Sequence, residues 1–146
     1  MNSRATRDRL NAQIVEQLYV TATLLKKNGD RRIFSQVGLT TSLFAMLTKI
    51  AAGKTTGSEL NDYVEGTPAS ITQKLRQLEE RGFLTRRSDE TDRRRWFFEI
   101  TTHGQRVLAK LQGSYQAHLA ELFVGLDEAS KQVLLEALAE LEKRLR

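Results

Sequence analysis

The sequence has no cysteine, one proline, one tryptophan and two histidines among its 146 residues. Without cysteine, disulfides, thiolate nucleophiles, thiolate metal ligands and direct thiol-based redox sensing are excluded. The two histidines, His103 and His118, cannot form a zinc site alone, because such a site needs at least three protein ligands. No Ser/His/Asp arrangement and no phosphate-binding loop is present. We therefore expect a protein that is not an enzyme and that uses no metal or other cofactor.

Long hydrophobic runs are also missing. No stretch approaches the roughly 18 apolar residues that a membrane-spanning helix needs. The amino-terminal segment MNSRATRDRLNAQ carries basic residues but no apolar region behind them, so it is not a secretory signal. These absences predict a cytoplasmic protein with no membrane partner.

What the sequence does have is an excess of positive charge. It contains 23 lysines and arginines against 18 acidic residues, a formal net charge of +5. Its 40% hydrophobic and 28% charged residues are typical of a globular domain. A basic balance of this size favours a polyanionic partner. The length fits one domain with or without extra helices that pair it with a partner.

Three helices are predicted before residue 65. In the first, apolar residues recur at steps of three or four, and lysines and a glycine predict its end near residues 26–29. A loop over residues 28–39 leads to a second helix, capped by Thr40 or Thr41 and ended by Gly53. A short third helix begins at Thr56 or Ser58. Its predicted inward residues are Leu60, Tyr63 and Val64.

The fourth helix has the sharpest boundaries. Thr67 can cap its amino end, and Pro68 stands at the first helical position, where its missing N–H costs nothing. Gly82 occupies the position of a left-handed carboxyl-terminal cap. The predicted buried stripe consists of Ile71, Leu75 and Leu78.

The hydrophobic period then changes. Residues 83–87 and 96–100 are strand-like and flank a polar segment, which predicts a β-hairpin. Thr101 or Thr102 caps a long helix that Gly125 closes, and Asp127 caps a last helix. The predicted fold is mainly α with a small β-wing, a winged helix-turn-helix with flanking amino- and carboxyl-terminal dimerisation helices.

The outward face of the fourth helix suits base recognition. With the apolar stripe inward, it presents small, amide and guanidinium side chains: Ala69, Ser70, Thr72, Gln73 and Arg76. Glutamine can bond adenine through two contacts, arginine can bond guanine through two, and methyl groups can pack on thymine. Each of these residues taken alone is more often only solvated. The prediction that this helix contacts DNA therefore depends on the neighbouring hairpin.

The loop of the predicted hairpin carries Asp92, Arg93, Arg94 and Arg95. Consecutive arginines at a loop tip repel one another and, in isolation, often mark a solvated loop. Beside a capped helix-turn-helix, they predict a probe for the electronegative minor groove of DNA. We expect Asp92 to orient one guanidinium through a bidentate bond.

This combination resembles the MarR family of bacterial regulators. The resemblance extends over about residues 39–108 by motif and over the whole chain by element order. The matching residues are Leu39-Thr40, Phe44, Leu47, Ser58-Glu59-Leu60, Ser70-Ile71-Thr72, Leu75, Leu78-Glu79, Arg81-Gly82-Phe83-Leu84, Arg86-Arg87, Asp92-Arg93-Arg94 and Ile100-Thr101-Thr102-His103-Gly104.

The resemblance implies a homodimer that binds a pseudo-palindromic operator in double-stranded DNA, usually as a repressor. It implies release by a small aromatic or anionic ligand, in a pocket that Tyr19, Phe34 and Phe44 are expected to line. By position, Asp92 resembles a wing aspartate that braces an arginine, and Arg94 resembles the arginine of the minor groove. The turn over residues 65–69 departs from the common family pattern, so the operator cannot be carried over.

The expected organisation is a single MarR-like chain over residues 1–146, with the DNA-binding region at 39–100. The segments 1–32 and 101–146 are the predicted dimerisation helices, since they carry more apolar residues than a small winged domain can bury. Residues 1–32 hold seven basic and three acidic side chains, and residues 111–146 hold four and six. Opposite net charges suit packing of these helices together, although two ordinary core helices would give the same pattern.

Two functions remain open from the sequence. The first is a sequence-specific, ligand-responsive regulator. The second is a non-specific architectural DNA-binding protein, which would use the same basic wing. The ratio of specific to random-DNA affinity separates them.

Overall fold

The structure is a computed structural model that describes residues 3–53 and 55–146; the first two residues of the basic amino-terminal segment lie outside it. The helices and strands of the described residues are α1 (Ser3–Arg32), a 3-10 helix (Phe34–Val37), α2 (Thr41–Ala51), α3 (Gly57–Asn61), α4 (Pro68–Glu80), β1 (Leu84–Ser88), β2 (Trp96–Ile100), α5 (Thr102–Leu122) and α6 (Glu128–Leu145). The predicted mainly α fold with a small β-wing is confirmed. No helix of the described part is long and apolar enough to cross a membrane.

The helix α1 is longer than predicted. It continues past Gly29 to Arg32, and the 3-10 helix replaces much of the expected loop. Gly29 lies inside α1 because its missing side chain permits close packing. A Cβ there would lie 3.1 Å from the hydroxyl oxygen of Thr41 and 3.2 Å from the ring of Phe34.

Side-chain caps set the amino ends of the later helices. Thr40 accepts a hydrogen bond from the N–H of Leu43, Thr67 from that of Ser70, and Asp127 from that of Ser130. Thr101 caps α5 by accepting from the N–H of Gly104 at 3.0 Å. Each cap satisfies an N–H group that the helix itself leaves unpaired.

The strands β1 and β2 form an antiparallel hairpin in which Leu84 faces Ile100 and Ser88 faces Trp96. The N–H of Phe98 donates to the carbonyl of Thr55 at 2.9 Å, which ties β2 to the segment before α3. The wing is therefore fixed to the helix-turn-helix through its second strand.

The hydrophobic core lies among α2, α3, α4 and the hairpin. Its most completely buried large side chains are Phe34, Met46, Leu47, Leu60, Ile71, Leu78 and Leu84. The predicted inward positions of Leu60 and Val64 are confirmed, but the one for Tyr63 is wrong. Half of the Tyr63 surface is exposed, because α3 ends at Asn61 and the following turn directs the ring outward, 5.6 Å from the Lys49 ammonium.

The chain divides into two compact units, one ending at Gly113 and one beginning at Ser114. The first unit contains α1, the 3-10 helix, the helix-turn-helix and the hairpin. The second contains the end of α5 and all of α6, and α6 has no buried residue. Gly113 does not interrupt α5, since the helical hydrogen bonds continue through it.

Candidate nucleic-acid interface

The helix α4 presents the face that the sequence predicts. Ile71, Leu75 and Leu78 are buried against the core. Ala69, Thr72, Gln73 and Arg76 are exposed on the opposite side, and Ser70 is half-buried. A narrow polar face on a well-capped helix has the dimensions and donor groups that a major groove accepts.

Two hydroxyls of this face are already engaged. Ser70 donates to the carbonyl of Thr67, and Thr72 donates to the carbonyl of Pro68, each at 2.9 Å. Their protons therefore point along the helix, and their oxygens remain available as acceptors. Gln73, Arg76 and Gln77 are exposed and carry further side-chain donors on this helix.

The tip of the wing is shaped by two aspartates. Asp89 accepts hydrogen bonds from the N–H and the hydroxyl of Thr91, at 2.9 and 2.8 Å. Those bonds from Thr91 hold the pKa of the Asp89 carboxyl below its usual value. Asp92 accepts from the N–H of Arg94 at 3.0 Å, and the N–H of Arg95 donates to the carbonyl of Asp92 at 2.9 Å.

The expected role of Asp92 needs correction. The bond that the structure gives this carboxylate goes to the backbone of Arg94 and not to a guanidinium. An aspartate bonded to the N–H two residues later makes an Asx turn, which is the reason that this residue type is favoured in such loops. Asp92 therefore sets the course of the backbone from which the arginines project.

The three consecutive arginines do not act alike. Arg93 and Arg94 are exposed at the tip. The Arg95 guanidinium lies 5.9 Å from the ring of Phe97, and its positive charge contributes to the lowered pKa of Glu59, behind the hydrogen bonds from Thr56. Arg95 is therefore directed back toward α3.

A cleft of about 500 Å³ separates α4 from the wing. Arginines from three different segments line it: Arg76 from α4, Arg86 from β1 and Arg95 from the wing loop. The remaining lining residues are Thr56, Gly57, Ser58, Thr72, Leu75, Glu79, Trp96 and Phe98. The cleft therefore joins the candidate recognition helix and the candidate wing into one basic surface, which we call the interface cleft.

Arg86 and Trp96 are two further residues of the candidate interface, and the sequence analysis did not predict them. The Arg86 guanidinium lies 4.6 Å from the centre of the Trp96 ring, and the ring is 44% exposed. Arg86 pairs with Phe98 in the sheet, so Trp96, two residues from Phe98, shares its face. Alternation along both strands could have revealed this pair.

The structure places the three residues of the expected ligand pocket in different surroundings. The ring of Phe34 is fully buried and stacks on that of Phe44, with 4.7 Å between the ring centres. Tyr19 is 74% exposed on α1. The two phenylalanines are part of the core, because their apolar rings gain more from packing on each other than from facing water.

Among the residues that the structure describes, no three His, Asp or Glu side chains come together as a metal site requires. His103 instead lies against the Phe83 ring, 5.1 Å between centres. His118 is buried within α5.

Comparison with known proteins finds similarity to one family of regulators. Residues 39–96 match the family model described as MarR family. A protein of Thauera aromatica assigned as a transcriptional regulatory protein for the hcr operon is 29% identical over 115 residues, which is 78% of this chain and 69% of that protein.

Solved structures share the fold. The transcriptional regulator BldR from Sulfolobus solfataricus superposes with a TM-score of 0.81 at 23% identity, over 99% of each chain. A MarR/EmrR family regulator from Acinetobacter sp. ADP1 gives 0.83 at 16% identity, over 93% of this chain and 96% of that one. MepR of S. aureus in its DNA-binding conformation gives 0.79 at 18%, over 91% and 98%.

Proposed function

We propose that this chain is a transcriptional regulator of the MarR type and not an enzyme. It acts in the cytoplasm as a homodimeric, ligand-responsive repressor of a pseudo-palindromic operator. The observation that carries the proposal is the interface cleft, where the polar face of α4 and the arginine-bearing hairpin border the same space. A helix suited to a major groove and a wing suited to the adjacent minor groove are thereby presented to one side.

The cleft suits the DNA strand that separates two adjacent grooves. When α4 occupies the major groove and the wing tip the minor groove, the sugar-phosphate backbone between those grooves passes between the two elements. Arg76, Arg86 and Arg95 then oppose its phosphates. Arg93 and Arg94 are left for the minor groove, and Gln73 with Ala69 for base edges.

Exposed apolar side chains support the homodimer. In α1 the exposed residues include Leu10, Ile14, Val15, Tyr19 and Leu24. In the second unit they include Phe123, Val124, Val133, Leu135 and Leu145, the last of which is 87% exposed. Apolar surface on this scale is typical of a protein–protein interface and rare on a monomer.

We propose that α1 of one subunit packs in the second unit of its partner. Within that unit, a groove of about 440 Å³ is lined mainly by apolar residues: Leu119, Ala120, Phe123, Leu134, Leu135 and Leu138. Residues 1–32 carry seven basic and three acidic side chains against four and six in residues 111–146. The opposite net charges favour pairing of these two segments over pairing of like segments.

The response to a small aromatic or anionic ligand rests on the family resemblance, since Phe34 and Phe44 fill the core. Repression as the direction of regulation rests on the same ground. A reporter gene placed under the operator, with and without the protein, measures that direction directly.

The operator is found with the purified protein itself. Fragmented genomic DNA from the source organism is captured at moderate and at high salt, and the recovered fragments are sequenced. Enrichment of a few fragments that share an inverted repeat supports the proposed function. Uniform recovery that disappears at high salt contradicts it and indicates an architectural protein that contacts only the backbone.

A further inference from the structure

The carboxyl end of α4 is held by two bonds to the segment that precedes α2. Arg81, the carboxyl-terminal cap residue of α4, donates from its two terminal guanidinium nitrogens to the carbonyls of Gly38 and Val37, both at 2.6 Å. One residue later, the carbonyl of Gly82 accepts a hydrogen bond from the hydroxyl of Thr101 at 2.6 Å. The end of the helix is thus attached to two other parts of the chain.

Each attachment leads to a helix of the proposed dimer interface. Val37 and Gly38 end the 3-10 helix that follows α1, whereas Thr101 is the cap of α5. The two backbone segments that enter and leave the DNA-binding region therefore meet at the end of α4. Residues 33–40 connect α1 to that region, so a change in the direction of α1 relative to the region changes the conformation of these residues.

The corner at residues 33–40 is otherwise well defined. The carboxylate of Asp30, near the end of α1, accepts hydrogen bonds from the N–H and the hydroxyl of Thr41, the first residue of α2. The ring of Phe34 is fully buried. Gly38 adopts a left-handed conformation with φ 65°, which a residue with a side chain adopts only with strain. The carbonyls of residues 37 and 38 are therefore presented in fixed directions.

The guanidinium is pre-organised for these carbonyls. It lies 4.7 Å from the centre of the Phe83 ring, which is itself buried, so one face of the planar group is supported. Two parallel, charge-assisted hydrogen bonds from a planar fork define an orientation as well as a distance. A lysine can keep the positive charge and one bond, but it cannot keep the fork or the stacking.

We propose that Arg81 is a positioning residue that fixes the angle between α4 and α1, and through it the half-site spacing that the dimer accepts. The proposal rests on the proposed function, since spacing has a meaning only for two recognition helices on one operator. One base pair inserted between half-sites displaces them by about 3.4 Å and rotates them by roughly 35°. A rigid dimer rejects that operator, and a dimer with a loose corner tolerates it.

The first experiment measures the angle itself and requires neither an operator nor a dimer. The natural chain has no cysteine. Spin labels can therefore be placed only where they are wanted, at Glu16→Cys in α1 and Gln77→Cys in α4, both exposed positions. The labelled protein is mixed with an excess of unlabelled chain, so that the measured distance is the one within a subunit.

We expect one narrow distance distribution for the parent protein and loss of that narrow peak in Arg81→Ala. Arg81→Lys should give an intermediate width. Arg106→Ala removes the same charge from an exposed position of α5 and should leave the peak unchanged. Circular dichroism establishes that each variant is folded. Equal narrow peaks in all four proteins would overturn the assignment of Arg81, whatever the protein binds.

The second experiment measures spacing. Duplexes carry the inverted repeat from the genomic selection with zero, one or two base pairs inserted at its centre. We expect Arg81→Ala to reduce the preference for the natural spacing by about tenfold, because the substitution removes both charge-assisted hydrogen bonds of the corner. An unchanged preference contradicts the proposal, and affinity that falls equally for all spacings assigns Arg81 to fold stability alone. If no inverted repeat is recovered, the proposed function fails, and the spin-label result still decides the role of Arg81.

Discussion

The guanidinium of Arg86 lies over the ring of Trp96, 4.6 Å from its centre, at the wall of the cleft between α4 and the hairpin. A guanidinium stacked on an exposed ring keeps its charge and loses little orientational freedom when it binds. Such an arginine is suited to a phosphate, which has no sequence information.

Replacing Arg86 by alanine should therefore weaken binding to all DNA sequences to the same degree. The slope of log affinity against log salt should decrease by about one, the value for one lost phosphate contact. Fluorescence anisotropy with operator and random duplexes at several salt concentrations measures both quantities. Arg87→Ala is the matched control, because Arg87 is on the opposite face of β1 and pairs with Glu99 at 2.9 Å. Equal slopes for the parent and Arg86→Ala would remove Arg86 from the interface.

The role of Asp92 in the turn can be tested separately from its negative charge. Asp92→Asn keeps an oxygen that can accept from the N–H of Arg94, whereas Asp92→Ala does not. We expect Asn to retain most of the operator affinity, and Ala to approach the loss seen in Arg94→Ala, with unchanged thermal unfolding in all three. If Asp92→Asn bound the operator as weakly as Asp92→Ala, the negative charge of the carboxylate would be required, as expected for a carboxylate that orients a guanidinium.

Substitutions of Gln73 and Arg76 should have different effects on DNA binding, because one side chain is placed at a base edge and the other at a phosphate. Gln73→Ala is expected to relax the base preference at one position of each half-site, at about 1–3 kcal/mol for a lost bidentate contact. Arg76→Ala should weaken binding to all sequences equally, because Arg76 lines the interface cleft with Arg86 and Arg95 and is placed opposite a phosphate. A loss of preference at one base pair would contradict that assignment. Competition binding with single-base operator variants distinguishes these results. Gln77→Ala, on the same helix, serves as the control.

Leu138 lines the apolar groove in which we place the partner's α1. Leu138→Asp should convert the dimer into a monomer, because a carboxylate buried without a partner costs several kcal/mol. Analytical ultracentrifugation measures the change. Gln132→Glu adds the same charge to α6 outside the groove and should remain dimeric. A dimeric Leu138→Asp protein would exclude this groove from the interface.

The cap of α6 should make its stability depend on pH. Hydrogen bonds from Ser130, first from its hydroxyl and then from its N–H, lower the pKa of the Asp127 carboxyl in the folded state below 3.8. The stabilisation by this group is therefore present above pH 3.8 and is lost as the pH falls through the lower, folded-state value. Asp127→Asn keeps a good cap without a titrating group. Hydrogen exchange of α6 in acid should accelerate less in Asp127→Asn than in the parent, and equal acceleration would contradict the prediction.

Local signals predicted much of this molecule. Thr40, Thr67 and Asp127 cap helices where expected, and the strand over 96–100 has the predicted bounds. These features depend on residues within a few positions of one another, so the sequence displays them directly. The exposed face of α4 follows from the same short-range period.

The failures share a physical cause. The sequence around Gly29 has the composition of a helix end. In the structure, Phe34 and Thr41 pack closely against Gly29, where there is no side chain, and α1 continues through this residue. The family resemblance placed Phe34 and Phe44 in a ligand pocket, whereas their rings stack on each other in the core. That contact depends on a corner that only the folded chain forms. The contact of Arg86 with Trp96 was not predicted, because the two residues are ten positions apart in the sequence and adjacent only across the sheet.

Close packing requires glycine at one position of α5. Gly104 lies in the first turn of α5, where a Cβ would overlap the carbonyl oxygen of Phe83. This close approach is what allows Thr101 to cap the helix and bond the carbonyl of Gly82 at once.

The exposed surface of α6 has a consequence for the amount of protein in the cell. A helix with no buried residue gains little stability from its own chain. When its apolar side is covered by a second copy, mass action links the folded fraction to the total concentration. A newly made subunit present at low abundance is then the form most exposed to proteolysis. The copy number of such a regulator would have a lower threshold, below which newly synthesised chains are degraded before they meet a partner.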